Sequence, residues 1–214
     1  MSDAAGFIRA QTAIAESPLL PGIPLHLATE ITPIWQASEA FLEQHGMEPP
    51  FWAFAWPGSV ALGLAMQADP GLVAGRRVLD FASGCGVAAI VAAQMGAASV
   101  EAAEIDPLAI AAIGLNAALN GVEILALDGD VVGAPCRWDV ILAGDVCYEA
   151  PMTAHIMPWL RAMSREATVL LADPGRAYLP REGMVEHSRH TVPTTLELED
   201  RRERKVVIAR LLPF

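Results

Sequence analysis

The sequence predicts an α/β fold built on an open, mostly parallel sheet, and three observations carry that prediction. From Arg77 onward, short apolar runs alternate with Ala-rich helical stretches, the pattern of strands joined by covering helices. The first run ends in a glycine-rich turn, Phe81-Ala-Ser-Gly84-Cys-Gly86, where a parallel strand hands over to a helix. Near the end of the chain two apolar-leaning segments flank a charged stretch, which reads as an antiparallel hairpin.

Element by element, Arg77 to Asp80 reads as the first strand, and Val87 to Met95 as a helix that Gly96 stops. Ser99 to Glu104 is the second strand. Asp106-Pro107 opens the next helix, proline suiting a first helical position, and Asn120-Gly121 closes it. Val122 to Leu127 is the third strand, Trp138 to Gly144 the fourth, Pro151 to Arg165 a helix and Thr168 to Ala172 the fifth strand. Pro174-Gly175 marks a turn. The hairpin is placed at Thr191 to Leu198 and Lys205 to Leu212, around the charged run Glu199 to Arg204. The first 50 residues contain Pro18, Pro21, Pro24, Pro33, Pro49 and Pro50 and one helix, Pro33 to His45, and read as an appended N-terminal cap. No repeat and no long linker is visible, so residues 51–214 form one main domain.

Composition narrows the function classes. The 214 residues are 53% hydrophobic and 18% charged, enough to bury a sizeable core. Lys plus Arg is 14 against 25 for Asp plus Glu, a net charge of −11. Such a surface repels phosphate backbones, so no nucleic-acid partner is expected. Cys85, Cys136 and Cys147 form no CxxC pair and suit a reducing, cytoplasmic location. The opening residues lack the apolar stretch of a signal peptide. Phe81 to Val100 carries no charge, but Ala, Gly, Ser and Gln94 dilute it, and it reads as a turn and buried helix rather than a membrane span. No His/Cys/carboxylate cluster with metal-ligand spacing stands out, and His187 and His190 read as one exposed helix face.

The glycine turn is the most informative segment. Gly84 and Gly86 let a ligand approach the backbone, and Glu104, eighteen residues after Gly86, stands at the end of the second strand, where a carboxylate takes both hydroxyls of a ribose. Gly84-x-Gly86-x-x-Ala89 also satisfies the dinucleotide fingerprint. Asp80 separates the two readings: a carboxylate closing the strand four residues before the first glycine repels a pyrophosphate and faces the cationic end of a ligand instead. A ribose, an ammonium, a sulfonium and no phosphate describe S-adenosylmethionine. The plainer alternative is that Asp80 caps the turn and the glycines only permit tight packing.

These residues resemble the seven-strand S-adenosylmethionine-dependent methyltransferases, whose first motif is D-x-G-x-G-x-G, with Ala82 here in place of its first glycine. Asp145-Val-Cys-Tyr148 matches the D-x-x-Y motif of the family 16 protein-lysine methyltransferases, and Trp52 to Gly58 resembles their W-A-x-x-W-P-G motif. Asp173-Pro-Gly-Arg176-Ala-Tyr178 looks like a motif of the branch acting on the electron transfer flavoprotein β subunit. The resemblance implies a Rossmann-like class I methyltransferase sheet and S-adenosylmethionine as cofactor. It places Asp80, Gly84 and Gly86 around the methionine part, Glu104 at the ribose, Asp130 beside the adenine and Trp56 at the pocket border, with Ala82, Ser83 and Gly144 as further cofactor-binding residues. Asp106 is a secondary candidate, since an acidic residue before Pro107 also caps a helix. Asp145 and Tyr148 are the catalytic candidates: the first attracts an incoming ammonium, and the second, with Trp56 or Phe54, shapes an aromatic channel for it.

Methyl transfer from a sulfonium is an in-line displacement that needs alignment and exclusion of water, not a metal. A lysine nucleophile, with a free pKa of about 10.4, must lose a proton first. Asp145 opposes that loss, and a neighbouring positive charge and desolvation favour it. Other readings remain at this stage: a small-molecule N-methyltransferase, whose sign would be a closed pocket, a methyltransferase of another protein such as a ribosomal protein, a dinucleotide-dependent oxidoreductase and a nonenzymatic binding module.

Overall fold

In the computed structural model, which describes residues 4–29, 49–194 and 201–213, the predicted sheet is present. Helix α1 (Ala4–Gln11) and the strands β1 (Ala13–Ala15) and β2 (Leu25–Leu27) come first. A one-turn helix at Phe51–Ala53 leads into α2 (Pro57–Ala68). Then follow β3 (Arg77–Phe81), α3 (Val87–Gln94), β4 (Ser99–Glu104), α4 (Pro107–Leu119), β5 (Leu125–Asp128), β6 (Val140–Gly144), α5 (Ala150–Met163), β7 (Thr168–Asp173), β8 (Met184–Pro193) and β9 (Glu203–Leu211).

Seven strands pair in the order β5-β4-β3-β6-β7-β9-β8, with β1 and β2 forming a separate antiparallel pair. The first five of the seven run parallel, and β9 enters antiparallel between β7 and β8. Chain order reverses direction at the β3/β6 junction, and the carboxyl ends of strands flanking such a junction are where open sheets bind ligands.

Helices cover both faces, so the central strands are apolar on both sides: β6 is wholly buried, and β3 and β7 are buried except at their first residues. Val78, Val140, Leu142 and Leu170 face the core shared with α2 and α3. Their alternates Leu79, Ile141, Val169 and Leu171 face the core shared with Ile156, Trp159 and Leu160 of α5. In α4 the stripe Ala109, Ala112, Ile113, Asn116 and Ala117 is buried, the i, i+3, i+4 spacing of an inward helix face. Asn116 bridges within that stripe: its Oδ1 accepts the N–H of His26 at 2.7 Å, and its Nδ2 donates to the Cys85 carbonyl at 2.8 Å. The N-terminal segment is thereby tied to the glycine turn, and Leu20, Ile23, Leu25 and Leu27 join the α2/α3 core.

Four expectations change. The third strand starts at Leu125 rather than Val122, because Val122 and Ile124 pack against the α2/α3 core before the chain reaches pairing distance of β4. The first hairpin strand is Met184–Pro193 rather than a segment beginning at Thr191. His187 and His190 therefore lie on that strand and not on a helix. Helix α2 and the β1/β2 pair were not expected at all. The helix expected at Pro33 to His45 lies outside the described residues, as does the end of the first hairpin segment.

Candidate active site

Two hydrogen-bonded groups form at the carboxyl ends of the central strands. The first gathers the glycine turn. Asp80, 2% exposed at the end of β3, accepts the Ser83 hydroxyl at 2.5 Å and the N–H of Ala89, in the first turn of α3, at 3.0 Å. Burial pushes its carboxyl up to about 7, against the pull of those two donors. Glu104, at the end of β4, accepts the Gly84 N–H at 2.7 Å and the Ile105 N–H at 3.1 Å. Burial raises its pKa, and these bonds hold the rise back. Gly84 and Gly86 have φ of 57° and 83°, the left-handed region that glycine enters without penalty.

Ala82 shares that conformation, with φ 53°. This is the position where the resembled motif carries glycine. A left-handed alanine costs about 1–2 kcal/mol locally, so Ala82→Gly is expected to raise stability by about 1 kcal/mol once the entropy of a freer unfolded chain is subtracted. In a chain of this size that is a rise of about 2–4 °C in Tm. An unchanged or lower Tm in a thermal melt would contradict it.

The second group gathers the segment after β6. Asp145 has φ 59°, a conformation that aspartate tolerates better than most residues, and its N–H donates to the Ala172 carbonyl at 2.9 Å. Val146 and Cys147 are buried, and Tyr148 emerges 36% exposed. The Asp145 carboxylate, 7% exposed, accepts the Gly58 N–H at Oδ2. Its Oδ1 accepts Nε and Nη2 of Arg176 at 3.2 and 2.8 Å. Burial drives its pKa up to about 6, with Arg176 as the main opposing influence. The Arg176 guanidinium also lies 5.9 Å from the centre of the Trp56 ring, within cation–π range.

Aromatic rings join the two groups. Trp56 Nε1 donates to the Phe51 carbonyl at 2.8 Å. The Phe51 ring lies 5.9 Å from that of Trp56 and 5.4 Å from that of Tyr148, and Phe54 lies 5.7 Å from Trp56. An atom added at Gly84 would come within 3.7 Å of the Phe51 carbonyl oxygen, so this segment lies over the glycine turn. Trp52, by contrast, is 1% exposed and belongs to the core. Gly144 is a packing glycine: a Cβ there would meet the Ser59 N and Oγ at 2.8 Å.

Asp80, Ser83, Gly84, Gly86, Glu104, Trp56, Gly144, Asp145 and Tyr148 are thus brought to one end of the sheet. Asp106 is used as the N-cap of α4, accepting the Leu108 N–H at 2.8 Å. Asp130 accepts the Val132 N–H at 2.8 Å and pairs with His155 of α5 at 2.6 Å, partners that belong to neither group. Sequence reasoning assigned no role to Arg176, Phe51, Gly58 or Ile105. Ile105, 72% exposed beside Glu104, is an apolar surface next to a ribose-sized acceptor, and only its position after the acidic residue could have signalled it.

The arrangement fits a nucleoside with a cationic tail. It offers a carboxylate for paired hydroxyls, a buried carboxylate near the glycine turn and, among the described residues, no cation bonded to that turn. A shallow cavity of about 210 Å³ adjoins it, lined by Tyr148, Pro174, Gly175, Arg176, Ala177 and Arg204.

Comparison with known proteins agrees with this geometry. A family model described as ribosomal protein L11 methyltransferase (PrmA) matches residues 64–147. An electron transfer flavoprotein beta subunit lysine methyltransferase of Xenopus laevis is 37% identical over 185 residues, covering 85% of this chain and 74% of the relative. The human protein of that name is 34% identical over 208 residues, covering 92% and 76%. Among solved structures, magnesium protoporphyrin IX methyltransferase from Synechocystis PCC 6803 with bound SAM superposes with a TM-score of 0.54 at 20% identity, over 72% of this chain and 77% of that one. That last likeness is one of fold.

Proposed function

The chain belongs to the electron transfer flavoprotein β-subunit lysine methyltransferase family, and we propose that its own substrate is the β subunit of an electron transfer flavoprotein. The enzyme is a protein-lysine methyltransferase and its methyl donor is S-adenosylmethionine. Asp80 would face the donor's cationic end, Glu104 and Ile105 its ribose and base, and Asp130 would sit beside the adenine, with Ala82, Ser83, Gly84 and Gly86 lining the turn and Gly144 at the end of the neighbouring strand. When bound, the donor would supply a methyl group activated by a sulfonium, transferred to the lysine nitrogen with a neutral thioether as leaving group and one proton released to solvent.

The residues of this chain supply alignment and dryness. Tyr148, Phe51 and Trp56 line the approach with rings that exclude water and accept a cation against their faces. Asp145 stabilises the arriving ammonium. Desolvation and the positive charges nearby then lower the amine's pKa from about 10.4 toward the range where it attacks.

The observation that carries a protein substrate over a free metabolite is the 34–37% identity over most of the chain to lysine methyltransferases named for the flavoprotein β subunit. The cavity of about 210 Å³ beside Tyr148 and Arg176 opens to the surface. A side chain presented from a protein surface fits it, with exposed Phe51, Tyr148 and Tyr178 around it as contact surface. A cytoplasmic location is part of the same proposal: Cys85 and Cys147 are buried free thiols, and no described helix is long and apolar enough to cross a membrane.

The test is incubation with labelled S-adenosylmethionine and purified electron transfer flavoprotein, read by intact mass. Mass gains on the β subunit in steps of one methyl are expected, reduced on the order of 100-fold by Asp145→Asn. Donor binding without mass gain would remove the substrate assignment and make small amines the next candidates.

A further inference from the structure

We propose that Arg176 occupies the place of the substrate's cation at Asp145 and is displaced when a protein-borne lysine enters, so that it screens out free amines. The proposal rests on the lysine-methylation reading above and deepens it. A carboxylate buried without a counter-charge is strongly unfavourable, and Asp145 is buried without substrate. Arg176 supplies that charge in the resting enzyme, its guanidinium bonded to Oδ1 of Asp145 and 5.9 Å from the centre of the Trp56 ring. A carboxylate beside an indole ring is also an arrangement that receives an ammonium.

Oδ1 of Asp145 accepts both Arg176 donors and Oδ2 accepts the Gly58 N–H, so a second cation meets the full charge of the carboxylate only if one partner leaves. The Gly58 N–H cannot: it belongs to the buried first turn of α2. Arg176 can. Its side chain is 20% exposed and borders the cavity beside Tyr148. Its backbone is held separately, because Oδ1 of Asp173 accepts the N–H groups of Gly175 and Arg176, both at 2.7 Å. Rotation of the side chain toward the cavity then requires no change in the turn.

The selectivity follows from where the displacing energy comes from. A free amine must displace Arg176 with its ammonium alone. A lysine on a protein brings contacts made elsewhere on the surface, and binding energy from remote contacts can be used at the reacting centre.

The probe is n-butylammonium, a lysine side chain without its protein, titrated calorimetrically into the full-length enzyme saturated with S-adenosylhomocysteine. Arg176→Gln keeps donors toward Asp145 but removes the charge, whereas Arg176→Lys keeps the charge. Butylammonium is expected to bind Arg176→Gln on the order of fivefold tighter than the wild type, an ion-pair competition of modest size, with Arg176→Lys resembling the wild type. In parallel, the KM for the flavoprotein is expected to fall in Arg176→Gln. Equal or weaker butylammonium binding by Arg176→Gln overturns the proposal, since Arg176 would then stay on Asp145 as a permanent support. If the wild type fails to methylate the flavoprotein, the substrate assignment fails while the amine titration still decides the role of Arg176.

Discussion

Gly58→Ala is expected to lower stability by about 3 kcal/mol, the upper range for forcing an extra carbon into packed structure, and to lower methyl transfer on the order of 100-fold. A Cβ at Gly58 would come within 2.7 Å of the Ala172 carbonyl oxygen and 2.8 Å of the Asp145 N, and it would collide with Oδ2 of Asp145 as well. Two of these are backbone atoms at the carboxyl ends of parallel strands, held by the sheet on either side. Neither can yield cheaply, so α2 must move outward. That motion removes the Gly58 N–H from Asp145 and shifts Trp56, the residue preceding α2. The activity loss therefore exceeds what reduced stability alone would cause. A thermal melt, with activity measured well below the melting transition, separates the two, and near-wild-type activity in a destabilised but folded variant would show that α2 does not position Asp145.

The same contact shows why the fold was more legible than the site. The central strands announce themselves locally: β3, β6 and β7 are short apolar runs bounded by turn residues, because helices cover both faces of the sheet. β8 does not. Most of its residues are exposed on the sheet edge, its pairing with β9 is irregular between Glu186 and Ser188, and no alternation of apolar side chains marks where it begins. α2 was missed for the opposite reason, since nine of its twelve residues are buried and it has no polar face to give it a period. The β1/β2 pair depends on Asn116, ninety residues away from His26.

On the side proposed for the donor, Asp80, Gly84 and Glu104 could be read from spacing, because consecutive strand ends place them side by side. On the substrate side, Asp145 was visible as a motif residue but its state was not. Its partners come from two distant segments, and only the sheet order, with β7 beside β6, brings Arg176 onto it. Asn116 left one usable signal: an amide in the middle of an otherwise apolar helical stripe is a polar group that must find partners.

Asp80→Asn separates stability from function, and pH provides the sign. The carboxyl of Asp80 is raised to about 7 in the folded enzyme from an ordinary 3.8. Below the ordinary value both folded and unfolded chains hold the proton, and Asp80 makes no difference to stability. As pH rises from about 4 to about 7, the unfolded chain has released its proton while the folded chain retains it, so stability falls across that window and the full penalty persists above it. Asparagine keeps the shape and carries no charge. Asp80→Asn is therefore expected to be more stable than the wild type by about 2 kcal/mol at pH 8, allowing for relaxation around the buried charge, and to lose this advantage by pH 4. Asp145, also raised, adds a slope of the same sign to both proteins and cancels from the comparison. Donor binding runs the other way. A cationic ligand end favours ionised Asp80, so below about pH 7 binding must expel a proton, and affinity is expected to rise up to about tenfold per pH unit until it levels off. In Asp80→Asn the affinity should be on the order of 100-fold weaker at pH 8 and its rise with pH shallower, Glu104 being the carboxylate left to titrate. Denaturant titrations at pH 4 and 8 and calorimetric titration of S-adenosylmethionine across the same range measure both halves. If Asp80→Asn binds the donor as tightly as the wild type with the same pH profile, Asp80 only caps the turn and α3, and the cationic end of the donor is held elsewhere.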